Sequence, residues 1–185
     1  MKRRDLLAGA AAVGVAGAGA VFATGGFGSS VEGVEPFELE TIDAPGSEAG
    51  TLAVPEPGRV TFLELFATWC DACARTVATK GEVYDELGER DDLQFVSVSN
   101  EPLGHTVTRD DVADWWDEHD GRWTVAIDDD LALTETLDAS GVPYSFVLDA
   151  ENRVTWSRQG DVAADELRDA ITSALESETD ENGEN

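Results

Sequence analysis

The amino-acid sequence predicts one α/β domain in which helices cover both faces of a β-sheet. Two observations predict this fold class. Between about residues 35 and 175 the apolar pattern alternates repeatedly between the period of a strand and that of a helix. The segment at 60–66 is almost continuously apolar, as expected for a central strand buried on both faces. These residues, about 140 in all, are enough for a single compact domain.

Each predicted element follows from its own pattern. Residues 37–42 alternate apolar and polar side chains, which predicts a half-buried strand, and residues 51–54 are its expected hairpin partner. The buried strand at 60–66 precedes a helix over 72–87 with apolar residues on one stripe. The later elements are a strand at 93–98, a helix at 110–119, a strand at 123–127, a short helix at 130–139, a hairpin of 144–148 with 154–156, and an amphipathic helix at 163–175.

Residues 1–23 predict an export leader or membrane anchor. Lys2, Arg3 and Arg4 precede a stretch of mostly Ala, Val and Gly, and the arginine pair followed by two leucines resembles a twin-arginine signal. A bilayer-spanning helix takes about 20 apolar residues, so the run at 6–22 is short for an anchor. We expect cleavage near residue 20 or 23, and an uncleaved anchor at 6–22 is the alternative.

The segments that flank the domain have compositions typical of unfolded chain. Residues 24–34 are dominated by Gly and Ser and predict a flexible linker. Residues 176–185 are polar and acidic and contain no apolar side chain, which predicts a disordered tail. The folded domain is therefore expected at 35–175.

The chain is strongly acidic, with 39 Asp+Glu against 12 Lys+Arg in 185 residues and a formal net charge of −27. This charge excludes a protein that binds nucleic acid or anionic lipid headgroups through basic residues. The acids are spread along the whole chain and the lysines are Lys2 and Lys80 alone, as in proteins adapted to high salt. At 1 M salt the Debye length is about 3 Å and self-repulsion is screened. We interpret the charge as an adaptation to the environment.

The two cysteines, Cys70 and Cys73, lie where the buried strand is followed by the first helix. At the helix N-terminus, Cys70 faces unpaired backbone N–H groups and the positive end of the helix dipole, which favour the thiolate that attacks disulfides. Cys73, one turn further in, is close enough to form a ring with Cys70 and is expected to be more buried. This arrangement predicts Cys70 as the nucleophile and Cys73 as the resolving thiol.

The cysteine pair has three other interpretations. A structural zinc site needs about four ligands, and the other candidates, His105 and His119, lack the spacing of a zinc finger. Covalent haem attachment requires a histidine after the second cysteine, where this chain has Ala74. A permanent structural disulfide stays open, although such a short loop contributes little stability.

Three features of the sequence indicate a known family. These are residues 66–73 (FATWCDAC), residues 141–149 (GVPYSFVLD) and the additional residues between the strands at 93–98 and 123–127. Together they resemble the thioredoxin-like superfamily. Within it they resemble the exported TlpA/ResA-type thiol-disulfide oxidoreductases, and the resemblance covers about residues 37–175. It implies a thioredoxin-like fold with a central mixed β-sheet and an N-terminal β-hairpin extension. It also implies a monomer with no bound cofactor and no metal.

The resemblance assigns roles to further residues. A cis peptide bond is expected before Pro143, with the backbone of Val142 binding an extended substrate, and Trp69 is expected to shield the sulfurs and line the substrate groove. Glu64 matches the buried acid that accepts the proton of the resolving thiol in thioredoxins, although many TlpA-type sequences have asparagine there. The alternative is an acid at a sheet edge in contact with water. Asp71 adds a charge near the thiolate, so the direction of catalysis stays open.

We therefore expect an exported thiol-disulfide oxidoreductase that acts on protein thiols and disulfides outside the cytoplasmic membrane, with a membrane redox partner. The resemblance implies substrates such as apocytochromes c or the copper-site cysteines of an oxidase. The alternative is a copper-delivery or assembly factor for a respiratory oxidase that uses the same thiolates, although such relatives pair Cys-x-x-x-Cys with a distant histidine. A peroxidase would need threonine where Ala67 stands.

Trp115 and Trp116 are adjacent on one predicted helix, so both rings cannot be buried on one face. We expect one of the two rings to be half-exposed.

Overall fold

The computed structural model describes residues 33–104 and 106–183. The predicted leader at 1–23 and most of the predicted linker at 24–34 lie outside these residues, and so does His105. The strands are β1 (Phe37–Thr41), β2 (Gly50–Val54), β3 (Val60–Phe66), β4 (Leu93–Ser99), β5 (Thr124–Ile127), β6 (Tyr144–Leu148) and β7 (Val154–Gln159). The helices are α1 (Asp71–Leu87), α2 (Arg109–Glu118), α3 (Ala132–Thr136) and α4 (Ala164–Gly183).

The strands form one mixed sheet in the order β2-β1-β5-β4-β3-β6-β7. β3, β4 and β5 are parallel, and the strands outside them pair antiparallel. β1 and β2 form a hairpin that extends the sheet beyond β5. The predicted mixed sheet and its N-terminal hairpin extension are thus confirmed, and every residue of the central strand β3 is buried.

Helices cover both faces of the sheet, as predicted. The connections through α1 and α2 step in the same direction across the sheet, so both helices pack on one face, where α4 joins them. Alternate residues of β3 supply the two cores: Phe62 and Phe66 contact the helices of this face, and Leu63 and Leu65 the opposite face with Leu133 of α3. The carboxyl ends of the parallel strands therefore meet at one edge of the sheet, where α1 begins.

Both tryptophans of α2 are buried, so the expectation of a half-exposed ring is wrong. The Trp115 ring stacks on Phe66 with centroids 4.9 Å apart, and Trp116 meets Trp123 edge-on at 4.9 Å. The segment between β1 and β2 covers the second ring, because the Trp116 indole N–H donates to the carbonyl of Pro45 at 3.2 Å. A tertiary contact from the hairpin thus encloses a side chain that the helix alone would leave in water.

The C-terminal helix is longer than predicted, because α4 continues past Leu175 to Gly183. The predicted disorder from residue 176 onward is therefore corrected for this stretch. Ser177 Oγ donates to the carbonyl of Ser173 at 2.8 Å, and a carboxylate oxygen of Glu178 accepts from the Ala150 backbone N–H at 3.2 Å. Polar contacts extend the helix where apolar ones end. Within residues 33–104 and 106–183, no helix is both long enough and apolar enough to cross a bilayer.

Candidate redox site

The junction between β3 and α1 positions the two cysteines. A turn at 67–70 follows the strand and is closed by a hydrogen bond from the Cys70 backbone N–H to the carbonyl of Ala67 at 3.1 Å. Cys70 is the N-cap of α1, with an extended backbone (φ −92°, ψ 100°), and its sulfur accepts from the Cys73 N–H at 3.1 Å. The two cysteines are joined by a disulfide, with Cα atoms 5.2 Å apart. Local geometry thus aims the first sulfur at the helix N-terminus.

Exposure differs along this short segment. Cys70 is 6% exposed and Cys73 only 1%, so the second cysteine is the more buried of the two, as the sequence predicts. The Trp69 side chain, which directly precedes the pair, is 72% exposed. A large apolar ring in water beside a disulfide is available for contact with a partner molecule. Its predicted part in the substrate groove stays a prediction.

Glu64 is buried at the centre of the sheet, 1% exposed, on the strand that leads to the cysteines. One carboxylate oxygen lies 2.5 Å from the Lys80 ammonium, and the other accepts from the Ser97 hydroxyl at 3.3 Å. The Thr76 hydroxyl lies 3.4 Å from Glu64 and 2.9 Å from the carbonyl of Cys73. The alternative of a water-contacting acid at a sheet edge is therefore excluded.

Lys80 is the functional candidate that the sequence analysis missed. Its side chain is fully buried in α1 and forms an ion pair with Glu64, so two opposite charges are buried together beneath the cysteine pair. A buried charge is costly unless it is paired, and each member of this pair supplies the other's partner. The available signal was its position seven residues after Cys73, two helical turns along the buried face that also carries Val77 and Val83.

A second buried acid, Glu101, lies just beyond the end of β4 and is 5% exposed. Its carboxylate accepts from the Thr68 backbone N–H at 2.6 Å and from the Thr68 hydroxyl at 3.0 Å. Thr68 belongs to the turn that leads to Cys70. Sequence reasoning missed this residue too, because no local pattern relates positions 33 residues apart.

The loop before β6 contains the two residues for which the resemblance implies a cis peptide bond and a substrate contact. The Val142–Pro143 peptide bond is cis, as the resemblance implies. Pro143 is buried, and its carbonyl accepts from the Gly160 N–H at 2.8 Å. The half-buried Val142 packs against the core cluster that includes both cysteines. Its predicted backbone contact with substrate stays a prediction.

The family model for Redoxin matches residues 33–173, which include all seven described strands and the first half of α4. The chain belongs to the Redoxin family. The thiol-disulfide oxidoreductase ResA of Bacillus thuringiensis subsp. konkukian is 22% identical over 114 residues, 62% of this chain and 62% of that protein. A ResA of Bacillus cereus is 23% identical over 110 residues, 60% of each chain. This Redoxin-family chain thus spans about three-fifths of the length of the curated relatives it matches.

Solved structures show the same fold at low identity. StoA from Bacillus subtilis superimposes with a TM-score of 0.62 at 20% identity, over 77% of this chain and 98% of that one. The pneumococcal exposed lipoprotein thioredoxin Etrx1 from Streptococcus pneumoniae strain TIGR4 gives 0.61 at 21% identity, over 75% and 98%. The thioredoxin-like, ResA-type resemblance stated from the sequence is therefore confirmed for this Redoxin-family member.

One cluster of potential cation ligands occurs in the described part of this Redoxin-family chain. Oxygen atoms of Asp149, Glu151 and Glu178 lie within 4.8 Å of one another, at the sheet edge opposite the cysteines. Arg153 lies among them, 2.7 Å from Asp149 and 2.9 Å from Glu151. The Arg153 guanidinium pairs with Asp149 and Glu151, and Glu178 accepts from the Ala150 N–H, so these acids form part of an ion-pair and hydrogen-bond network at the turn between β6 and β7.

Proposed function

We propose that this Redoxin-family protein is a thiol-disulfide oxidoreductase that exchanges its Cys70–Cys73 pair with the thiols and disulfides of protein substrates. The observation that carries the proposal is the disulfide at the N-terminus of α1. Cys70 is the less buried of its two cysteines, and the exposed Trp69 directly precedes it. A redox-active pair needs one cysteine that a substrate can reach and a group that accepts the thiol proton of the other cysteine. Both requirements have candidate groups here.

The reaction begins from the reduced pair. The Cys70 thiolate attacks one sulfur of a substrate disulfide, the substrate S–S bond breaks, and the departing sulfur takes a proton from water. A mixed disulfide then joins Cys70 to the substrate. This first step uses the helix N-terminus, which stabilises the thiolate through the unpaired N–H groups and the helix dipole.

Resolution transfers the bond to the second cysteine. Cys73 loses its thiol proton to the Glu64 carboxylate, and its thiolate attacks the Cys70 sulfur. The bond between Cys70 and the substrate breaks, the substrate sulfur leaves as a thiolate that takes a proton from water, and Glu64 returns its proton to solvent. The substrate gains two electrons and the Cys70–Cys73 disulfide forms. Lys80 is the ion-pair partner of Glu64 in the core, and the Thr76 hydroxyl lies between this acid and the turn of helix that carries Cys73. In reverse, the same steps oxidise a substrate.

We propose action outside the cytoplasmic membrane, in the maturation of c-type cytochromes or of oxidase copper sites, with a membrane redox partner. The leader-like residues 1–23 support export, and a structural relative is named an exposed lipoprotein. The reduction potential at molar salt would give the direction. A value near that of thioredoxin, about −270 mV, indicates a reductant, and one near that of DsbA, about −120 mV, an oxidant.

Substitution of each cysteine tests the proposal. We expect the wild type to accelerate the reduction of insulin by dithiothreitol. The assay is run at about 2–3 M KCl, because salt at that level screens the repulsion between the surface carboxylates. Cys70→Ala should abolish this activity, whereas Cys73→Ala should form a stable mixed disulfide at Cys70, detected by intact mass. Retained turnover in Cys70→Ala overturns the proposal. Tight Cu(I) binding by a wild type without reductase activity would favour copper delivery instead.

A further inference from the structure

The turn at 67–70 contains the exposed Trp69 and the Cys70 sulfur, and few contacts within the turn itself fix its conformation. Its internal hydrogen bond joins the Cys70 N–H to the carbonyl of Ala67. Trp69 is 72% exposed, so packing fixes its ring only weakly. The direction in which this ring and the Cys70 sulfur face a substrate therefore depends on how the backbone of the turn is held.

Glu101 holds that backbone from the neighbouring strand. One carboxylate oxygen accepts from the Thr68 N–H at 2.6 Å and from the Ser99 hydroxyl at 3.4 Å, and the other accepts from the Thr68 hydroxyl at 3.0 Å. Next to it, the Asn100 N–H donates to the carbonyl of Phe66 at 3.1 Å and continues the pairing of β3 with β4 beyond the strand ends. Two contacts on Thr68 fix both its backbone and its side chain.

Glu101 is a buried acid whose hydrogen-bond partners carry no charge. It is 5% exposed, and the hydrogen bonds that it accepts come from neutral groups. Within residues 33–104 and 106–183, no lysine, arginine or histidine forms an ion pair with it. Burying a carboxylate without a counter-charge is costly, and hydrogen bonds to a charged acceptor are among the strongest available. The site thus keeps a costly group where it holds the turn firmly.

We infer that Glu101 is a positioning residue for thiol-disulfide exchange, which clamps the turn that presents Trp69 and the Cys70 sulfur to a protein substrate. The inference rests on the proposed function for its kinetic consequence. Cys70 keeps its own place at the N-cap of α1 through the Cys73 N–H, so loss of the clamp should disturb the approach of a large substrate more than that of a small thiol.

The variants Glu101→Gln and Glu101→Ala separate the clamp from the charge. In Glu101→Gln the amide oxygen can accept from the Thr68 N–H and the Ser99 hydroxyl, while the amide NH₂ donates to the Thr68 hydroxyl. Glu101→Ala removes all of these contacts. Asp149→Ala is the matched control, because Asp149 is 6% exposed and accepts from the Glu151 and Arg153 N–H groups and the Arg153 guanidinium at the opposite sheet edge.

Kinetics with a large and a small substrate provide the first measurement. For Glu101→Ala we expect kcat/KM for insulin to fall about tenfold, mainly through a higher KM. The rate at which dithiothreitol reduces the Cys70–Cys73 disulfide of this variant should stay within about twofold of the wild-type rate. Glu101→Gln and Asp149→Ala should stay within about twofold of wild type for both. Equal loss in Glu101→Gln and Glu101→Ala, or an unchanged KM in Glu101→Ala, overturns the inference.

Hydrogen exchange provides a second measurement that needs no activity. The Thr68 amide should exchange at least about tenfold faster in Glu101→Ala and at the wild-type rate in Asp149→Ala. Unchanged protection at Thr68 overturns the clamp even if the wild type proves inactive, whereas an inactive wild type with a protected Thr68 amide contradicts only the proposed function. If Glu101→Ala does not fold, Thr68→Val, which removes only the hydroxyl contact, should raise the KM for insulin about twofold to threefold, and an unchanged KM again overturns the inference.

Discussion

Glu64 and Lys80 are two residues whose contributions to stability and to turnover can be separated. Each is buried, and their charged atoms lie 2.5 Å apart. The attraction within such a pair largely offsets the cost of removing both charges from water, so the pair adds little net stability, but either member alone is strongly unfavourable. A site that needed only stability could use two apolar side chains at these positions.

Lys80→Met should therefore lower the free energy of unfolding by about 3–5 kcal/mol, because it leaves the Glu64 carboxylate buried without its counter-charge. The double variant Glu64→Leu with Lys80→Met should recover most of this loss. Chemical unfolding in molar KCl measures both. A double variant no more stable than Lys80→Met would contradict the interpretation that the pair is a compensated charge unit.

Glu64→Gln should slow the resolving step and leave the first attack intact. An amide cannot accept the Cys73 proton, and a positioned general base contributes about 10²–10⁴-fold in rate. We expect the mixed disulfide with a peptide substrate to accumulate in quenched-flow mass spectrometry and its resolution to slow by about 100-fold. Glu101→Gln serves as the control, since it also removes a buried charge near the site. Resolution at the wild-type rate would contradict the role of Glu64.

Which of these residues the sequence could identify depends on how local their signals are. Cys70, Cys73 and Pro143 lie in short motifs, and Glu64 could be placed by counting along a strand. The partner of Glu64 could not be derived in the same way, because the Lys80 contact depends on the packing of α1 against β3. Glu101 depends on the register of β4 against β3, which brings its carboxylate to Thr68.

At the scale of elements, α1 and α4 are tied together across their exposed sides. Arg168 forms two hydrogen bonds with Glu86, at 2.6 and 2.7 Å. This contact lowers the pKa of the Glu86 carboxyl below its ordinary value, mainly through the hydrogen bond from Arg168. A carboxylate with a lowered pKa in the folded state stabilises the fold above its unfolded-state pKa, and this stabilisation is lost as the pH falls through the folded-state pKa.

Glu86→Gln should thus lower the melting temperature at pH 7, and the difference from wild type should vanish as the pH falls well below the ordinary carboxyl value of 4.5. Glu82→Gln is the control, because Glu82 is an exposed acid of the same helix without an ion pair among the described residues. Melting curves at a series of pH values in low salt measure the effect. Equal shifts in both variants would show that only net charge matters.

The elements themselves followed closely from the sequence, since strand and helix periods are local properties. β3 and β6 have the predicted bounds, and α1 begins one residue earlier than predicted. The two errors have a common physical cause. The burial of Trp116 depends on Pro45, and the extension of α4 is accompanied by a contact between Glu178 and Ala150, both of which join distant parts of the chain. Periodicity contains no information on such contacts.

For the whole molecule, the repulsion that results from the formal charge of −27 affects the stability of the fold more than any single ion pair does. At low ionic strength the carboxylates repel one another and favour the expanded chain, whereas molar salt reduces the Debye length to about 3 Å. We expect the melting temperature to rise steeply between 0.1 and 2 M KCl, concentrations that span Debye lengths from about 10 Å to below about 3 Å. Sucrose at equal osmolality should raise it much less. A melting temperature independent of KCl would contradict the interpretation of the acidic composition as salt adaptation.

Lys80 is the only lysine between residues 33 and 183, and its amine is fully enclosed. Acylating reagents such as N-hydroxysuccinimide esters consequently have no lysine target in that stretch while the core is closed. Acylation there requires the core to open, so the rate at which this position gains an acyl group reports the frequency of opening. Mass spectrometry of the peptide that contains Lys80, in an amine-free buffer, would follow that reaction separately from acylation of Lys2 and of the N-terminal amine, so this one lysine reports how often the core around it opens.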